Sequence, residues 1–449
     1  MQARETAYRI LADVEKGAYA NIILDEYLRV QQLSALDRGL VTEIVYGAVK
    51  YRLKLDWIIG QLVQKPAKLE IGPRLILRLS LYQLLFLERI PPSAVVNEAV
   101  KLGKKIFHTG VAGLINGALR NYLRNPGQVS WPDAKKQPLE YLEVCHSHPR
   151  WMVARWLKRY GFDNTQKFCE FNNKPADLWI RTNMLRCSRE DLIERLKDEG
   201  CAVEKSRRIP EGLLLMTAPP LTCLPSFTDG LYTVQDESSM LVAHVVRPAP
   251  GQEVLDVCAG PGGKSTHLAQ LMENKGLILA CDVHGHRLSL IEDNARRLGV
   301  VIIKTVLADA TKMAATHEAK YDLILVDAPC TGLGVLRRRA DSRWRKQEGD
   351  IKALAELQKQ ILENALSMLR VGGRLIYSTC TIEPEENEEN IAWIIQKHPE
   401  IRAVNLSSYM PYKVETEEEK LEMSGGVRQY LPFIDNMEGF FIAALEKTG

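Results

Sequence analysis

Between Glu253 and Cys380 the chain alternates short apolar runs with amphipathic ones, and no other feature restricts its fold as much. EVLDV (253–257), GLILACD (276–282), IIKTVLAD (302–309), YDLILVDAP (321–329) and GRLIYSTC (373–380) have the length and content of strands. Helical spacing separates them, from Lys264, from Arg287 to Leu298, and from about Asp350 to Leu369. Strand and helix in strict succession predict a doubly wound, Rossmann-like α/β sheet, with ligands held at the carboxyl ends of its strands.

The rest of the 449 residues falls into two further regions. Residues 1–126 carry apolar side chains at three and four spacing throughout and predict an all-α bundle. Within it RLILRLSLYQLLFL (Arg74 to Leu87) is apolar almost all round, as a central buried helix is, and Pro91-Pro92 ends that segment. Two helices follow, Ala94 to Ile106 and Val111 to Leu123, and then a Pro- and Gly-containing linker from Asn125 to Pro138. Residues 140–230 mix strand-like LWIRTN (178–183), a helix from Ser188 to Lys197, and the pieces CAVEK and LLLMT. They predict a small α+β subdomain, leaving 231–449 to the α/β domain.

No apolar run approaches the roughly 20 residues of a membrane helix, and the first residues lack a secretion signal. Nine scattered cysteines fit a reducing cytoplasm better than a disulfide framework. Cys281 with His284, and Cys145 with His146 and His148, have short metal-like spacings but no matching second half, so no metal site is expected. A net charge of +3 is only weakly basic, and a nucleic-acid surface must come from local clustering. The helical region offers such a cluster in Arg4, Arg9, Lys50, Arg52, Lys54, Lys101, Lys104, Lys105, Arg120 and Arg124. Each singly reads as a solvated helix residue; only the collective excess points to phosphates.

After the first α/β strand stands CAGPGGKSTHLAQ, a glycine turn opening a helix. It fails the dinucleotide fingerprint, whose third glycine would fall on Ser265, and the phosphate loop, whose first would fall on Cys258. What remains is close backbone approach at Gly260, Gly262 and Gly263, beside Asp256, with a second acid, Asp282, ending the next strand. An acid there accepts hydrogen bonds from ribose hydroxyls, so the loop suits an adenosine-type ligand held without phosphate recognition. Asp309, after the third strand, is placed to meet that ligand from its adenine side. Lys264 and Arg287 read equally as solvated helix residues.

Cys330 and Cys380 each follow a strand, and one crossover lies between them. A right-handed crossover makes those strands parallel and commonly adjacent, about 4.8 Å apart, which brings both thiols to the rim where the glycine loop opens. Cys145, Cys169, Cys187, Cys201 and Cys223 read as small apolar residues. Each rim cysteine is instead followed by Thr and preceded by a distinctive neighbour, Asp327-Ala328-Pro329 or Ser378-Thr379. A thiolate is a strong nucleophile, but spacing alone does not say which of the two attacks.

DVCAGPGGKSTH, DAPCTGLGVLRRRADSRW, YSTCTIEPEENE and the terminal EGFFIAALEK resemble the successive motifs of the Sun (RsmB-type) ribosomal RNA cytosine-carbon-5 methyltransferases. The helical region resembles the RNA-binding NusB, as it does in the bacterial branch of that family. The resemblance implies S-adenosyl-L-methionine as cofactor, lined by Cys258, Ala259, Gly260, Pro261, Gly262, Gly263, Lys264, Asp282, Asp309 and Asp327. It also implies that Cys380 adds to carbon 6 of the cytosine, that Asp327 bonds the pyrimidine edge and that Cys330 assists release. DNA cytosine methyltransferases use their Pro-Cys cysteine, but their Glu-Asn-Val motif is absent. This chain departs from the family at Gly260, where Ala is usual, and at Glu438, where Asp is usual.

The implied partner is ribosomal RNA, met by a monomer, with Arg337, Arg338 and Arg339 able to grip backbone or to form a solvated loop. EPEENEEN reads as an acidic helix N-terminus. Two rivals remain: an RNA-binding assembly factor without catalysis, which leaves the paired cysteines unused, and a methyltransferase acting on another nucleophile, which needs none.

Overall fold

The computed structural model describes residues 2–315 and 321–449. They form two compact units: one comprises residues up to Lys174 together with Leu336–Lys346, the other Pro175–Val335 with Gln347–Gly449.

The first unit is helical. Gln2–Glu15, Ala20–Val30, Ala35–Lys50, Arg52–Leu62, Ile71–Phe86, Pro92–Ile106 and Thr109–Arg124 surround a core that includes Ile10, Ile44, Leu55, Ile58, Leu77 and Ile115. The helix expected to be central is so. Along Ile71–Phe86 even Arg78 is buried, its guanidinium forked onto Asp56 at 2.7 Å twice and onto Glu15 at 2.6 Å. Gly47 makes room for it, since a Cβ there would lie 1.9 Å from the Tyr82 ring. Pro92 opens the next helix, its missing N–H costing nothing at a first turn.

Pro138–His146 and Arg150–Asn173 group with these helices, so the division between units falls at Lys174, beyond the 125–138 linker. The inserted segment Leu336–Lys346 is part of the same unit's interior. Buried Arg343 donates to the Ser147 carbonyl at 3.1 Å, the Asn172 carbonyl at 3.1 Å and Asn173 Oδ1 at 3.0 Å. Trp344 Nε1 donates to the Val49 carbonyl at 2.7 Å.

In the second unit β1 (Leu178–Thr182), β2 (Ala202–Lys205), β3 (Gly212–Thr217) and β4 (Tyr232–Val234) make an antiparallel sheet in the order β2-β3-β1-β4. Helix Arg189–Asp198 starts at a Ser188/Asp191 capping box and buries Leu192 and Leu196 with Ile180, Leu213 and Tyr232 of that sheet. The larger sheet contains β5 (Glu253–Asp256), β6 (Leu277–Asp282), β7 (Ile303–Leu307), β8 (Tyr321–Asp327), β9 (Leu369–Thr379), β10 (Ile401–Ala403), β11 (Val427–Tyr430) and β12 (Phe440–Lys447). Its order is β10-β12-β9-β8-β5-β6-β7, with β11 on β12.

The predicted parallel strands β5 to β9 pair in parallel, but β10, β11 and β12 run against their neighbours, so the sheet is mixed. The five strands expected between Glu253 and Cys380 are the parallel ones, and the antiparallel ones lie beyond that span. EGFFIAALEK reads as one more buried strand, and its direction is set by the preceding turn rather than by its own side chains. Among the described residues no helix is long and apolar enough to cross a membrane.

Candidate active site

Parallel pairing of β5 through β9 sends five carboxyl ends to one rim, and every candidate residue of the α/β domain lies on or just beyond it. At β5, Asp256 is fully buried and accepts from Ser265 Oγ at 2.7 Å, while its other oxygen has no partner. Burial pushes its carboxyl up to about 7. Burial raises the Cys258 thiol well above the ordinary range.

Cys258 and Ala259 lead into Gly260 and Pro261. The backbone N–H of Gly260 donates to Asp282 Oδ2 at 3.1 Å, and a Cβ on Gly260 would lie 2.5 Å from that oxygen and 2.7 Å from Arg287 Cβ. Gly262 has φ +97° and begins helix Gly263–Leu271. The Asp282 side chain is 4% exposed, and its Oδ1 accepts from the His284 N–H at 2.9 Å. A glycine cradle with an oriented carboxylate and an orphaned buried acceptor fits a ligand bearing hydroxyl and amino donors. Asp309 sits just beyond β7 and is exposed, its carboxylate bound to the Thr311 N–H at 3.0 Å and hydroxyl at 2.7 Å.

Asp327, Cys330 and Cys380 come together as the crossover argument requires. Asp327 stands opposite Ser378 in the β8–β9 register. Its Oδ1 accepts from Ser378 Oγ at 2.8 Å and its Oδ2 from Lys264 Nζ at 2.7 Å, so both carboxylate oxygens are oriented. Lys264 is therefore held at the rim rather than solvated, with its ammonium 5.4 Å from the Phe440 ring centre. The two sulfurs lie 3.2 Å apart and share a hydrogen bond. That bond, and then burial, push the Cys330 thiol well up.

A backbone lattice holds this pair. The Gly334 N–H donates to the Cys380 carbonyl at 3.0 Å, and the Gly439 N–H donates to the Gly334 carbonyl at 2.9 Å. The terminal motif thus supports the Cys330 loop through Gly439, while neighbouring Glu438 is buried.

Several assignments change. Arg337 is turned inward, 4.1 Å above the Phe171 ring in the helical unit, and is not offered to a ligand. Of the ten basic residues named above in that unit, Lys50 and Lys54 are half-buried, while Arg9 and Lys105 converge on Glu5 at 2.8 and 2.6 Å. Glu386, read as part of a helix N-terminus, is fully buried beside the thiols. Spacing gave no sign of Glu211, His244 and His267, whose ligand atoms lie within 4.8 Å of one another. Buried Arg181 stands in the same field. Burial first, and then Arg181, push His267 down to about 3, keeping it a neutral imidazole against the Glu211 carboxylate.

Comparison with known proteins matches this architecture piece by piece. The family model for 16S rRNA methyltransferase RsmB/F covers residues 243–446, that for the NusB family 1–124, and that for the RsmF/B-like ferredoxin-like domain 148–222. The probable ribosomal RNA small subunit methyltransferase B of Bacillus subtilis (strain 168) is 38% identical over 99% of both chains. Its counterpart in Synechocystis is 35% identical over 100% of both. Among solved structures, PH0851 superposes with a TM-score of 0.81 at 31% identity, over 99% of this chain and 98% of that one. NSun6 from Pyrococcus horikoshii, solved with SFG, gives 0.60 at 28% identity, over 67% of this chain and 98% of that one. Fold and site define an S-adenosylmethionine-dependent RNA methyltransferase. The chain belongs to the RsmB/Sun family, the ribosomal RNA small-subunit methyltransferases B.

Proposed function

We propose that this enzyme methylates carbon 5 of a cytosine in small-subunit ribosomal RNA through a covalent adduct on Cys380. The observation that carries this reading is the pair of thiols 3.2 Å apart on adjacent strand ends, beside the glycine loop. Methyltransferases that act on an amine or a side-chain oxygen need no such pair, and an assembly factor needs neither the pair nor the loop.

Cytosine carbon 5 is too electron-poor to take a methyl cation equivalent unaided. The Cys380 thiolate adds to carbon 6, and the electron pair displaced onto carbon 5 makes that atom nucleophilic. Asp327, fixed from both sides by Lys264 and Ser378, bonds the pyrimidine edge and stabilises the adduct as charge develops there. Once carbon 5 carries the methyl group, its proton leaves to a base, the pair it leaves behind forms the carbon 5–carbon 6 double bond and restores aromaticity, and the sulfur–carbon 6 bond breaks with its pair departing on the Cys380 sulfur. Cys330, in hydrogen-bond reach of Cys380, assists that release.

The bound S-adenosylmethionine supplies the methyl group. The residues that would hold it are Cys258 to Lys264 with Asp282, Asp309 and Asp327; Asp282 would take the ribose hydroxyls, through lone pairs left over from Gly260 and His284. A cytosine stacked in an A-form helix hides its face, so the target is unpaired or flipped out. The NusB-like unit positions the RNA through phosphates, the chain acting as a cytoplasmic monomer.

The test is incubation with labelled cofactor and ribosomal RNA, comparing Cys380→Ala with Cys330→Ala. The first is expected to give no methylation, and the second a denaturation-resistant protein–RNA adduct. An adduct accumulating in Cys380→Ala reverses the roles, and full activity of both variants ends the covalent reading.

A further inference from the structure

The two thiols are chemically alike and nearly equivalent by topology, each following a strand and each followed by a threonine. A mechanism that gives them different parts needs something to break that symmetry. Glu386 does so by position. Its carboxylate is fully buried. Oε2 accepts from the Thr331 backbone N–H at 2.9 Å and from Gln358 Nε2 at 3.0 Å, and Oε1 accepts from Thr331 Oγ1 at 2.5 Å. Gln358 Nε2 also donates to the Pro329 carbonyl at 2.8 Å. The turn carrying Cys330 is thus clamped on both sides of the cysteine.

Glu386 reaches the Cys380 side indirectly, through the Thr331 hydroxyl, while the Thr381 carbonyl is held instead by Asn387 Nδ2 at 3.1 Å and the Cys380 carbonyl by the Gly334 N–H at 3.0 Å. Thr331 Oγ1 lies 2.8 Å from Thr381 Oγ1 and gives its own proton to Glu386, so the bond between the threonines runs from Thr381 to Thr331. Two N–H groups on Oε2 and a hydroxyl on Oε1 form a donor set that suits an ionised carboxylate. Behind it the main chain is fixed by Tyr377 Oη, which donates to the Glu386 carbonyl at 2.6 Å, while Asn390 Nδ2 donates to Gln358 Oε1 at 2.8 Å.

We propose that Glu386 is the positioning residue that gives the two thiols their separate parts. By clamping the Pro329–Thr331 turn and adding a fixed negative charge beside it, Glu386 keeps Cys330 as the hydrogen-bond donor and leaves Cys380 as the nucleophile. The charge acts in the required sense: after the bond to Cys380, burial and the Cys380 charge, Glu386 is a further influence that raises Cys330. Burial raises Glu386 itself, and the donors from Thr331 and Gln358 oppose it.

This inference rests on the covalent reading above, but its test needs neither RNA nor cofactor, so the two can fail separately. Full-length protein is treated with iodoacetamide from about pH 6 to pH 9, and alkylation of each cysteine is followed by peptide mass spectrometry. In the wild type Cys380 is expected to react at least about tenfold faster than Cys330, the ratio that one unit of thiol acidity gives. Glu386→Gln keeps the size and removes the charge, and should bring the ratio towards one. Glu386→Asp keeps the charge and should retain the wild-type order. A folded Glu386→Gln protein with the wild-type ratio overturns the proposal. So does a wild type in which Cys330 reacts as fast as Cys380, a result independent of whether any variant folds.

Discussion

Gly334→Ala tests whether the terminal motif supports the thiol pair through backbone contact. A Cβ at Gly334 would lie 2.0 Å from the Gly439 carbonyl oxygen and 2.6 Å from its carbon. Non-bonded carbon contacts are comfortable at about 3.5 Å, so the two backbones must part by more than about 1 Å. That movement breaks the 2.9 Å bond from the Gly439 N–H to the Gly334 carbonyl and strains the 3.0 Å bond from the Gly334 N–H to the Cys380 carbonyl. Losing one such bond costs about 1 kcal/mol, and forcing a methyl group into packed backbone costs about 1–3 kcal/mol more. Sterics therefore dominate, and the sum is about 2–4 kcal/mol. In a unit of this size 1 kcal/mol moves the melting temperature by about 2–4 °C, which puts the expected loss near 10 °C. Differential scanning fluorimetry of the full chain measures it. Gly349→Ala is the control, because a Cβ there meets nothing within 4 Å and should leave the transition within about 1 °C or raise it slightly. If Gly334→Ala melts with the wild type, the backbone approach is not a structural requirement and the reasoning fails.

Two other perturbations address the cofactor loop and its support. Asp282→Ala removes the acceptor for the Gly260 and His284 N–H groups and the one assigned to the ribose, and should weaken S-adenosylmethionine binding by roughly 10–100-fold in calorimetry. Wild-type affinity in that variant would remove Asp282 from the cofactor site. The second is a pH dependence. Burial and Arg181 hold His267 down at about 3, below the 6.5 of an ordinary imidazole, so between these values the unfolded chain binds more protons than the native one. Stability is therefore lost as pH falls through that window. Buried Asp256, raised to about 7, has the opposite slope between about pH 4 and 7, since the native state there holds the extra proton. Urea denaturation of wild type against His267→Gln cancels the Asp256 contribution, and a difference that stays flat with pH would refute the assignment.

The α/β domain was legible because its strands are buried on both faces and stand out as apolar runs, and because one crossover between YDLILVDAP and GRLIYSTC leaves little choice about which ends meet. The register that places Asp327 opposite Ser378 follows from that crossover. For Lys264 only the family resemblance pointed to the site. At the start of a helix a lysine reads as solvated, and only the proximity of β5 and β8 brings it to 2.7 Å from Asp327. Arg337 failed in the other sense: three consecutive arginines read as a basic loop, yet the first stacks on Phe171 because Leu336–Lys346 belongs to the helical unit. Nothing local in LGVLRRRADSRW announces an insertion of that kind.

Glu386 shows most clearly why charge patterning misleads beside an active centre. EPEENEEN has the composition of a solvated N-terminal turn, and Glu388–Lys397 does begin a helix there. Yet Glu386 lies in a short turn, Pro384–Glu386, that rolls its side chain under the sheet while Glu385 and Glu389 remain at or near the surface. Burying a carboxylate alone would cost several kcal/mol, so the chain has to surround it with donors. Those donors are Thr331 and Gln358, distant in sequence, the first directly following Cys330, and Thr381, which follows Cys380, donates to the Thr331 hydroxyl behind it. A threonine after each rim cysteine, which from sequence alone is only a repeated dipeptide, is thus explained as the means by which one buried charge is made tolerable. The same contacts fix how far apart the two sulfurs stand, so the stability of that carboxylate and the geometry of the thiol pair cannot be altered separately.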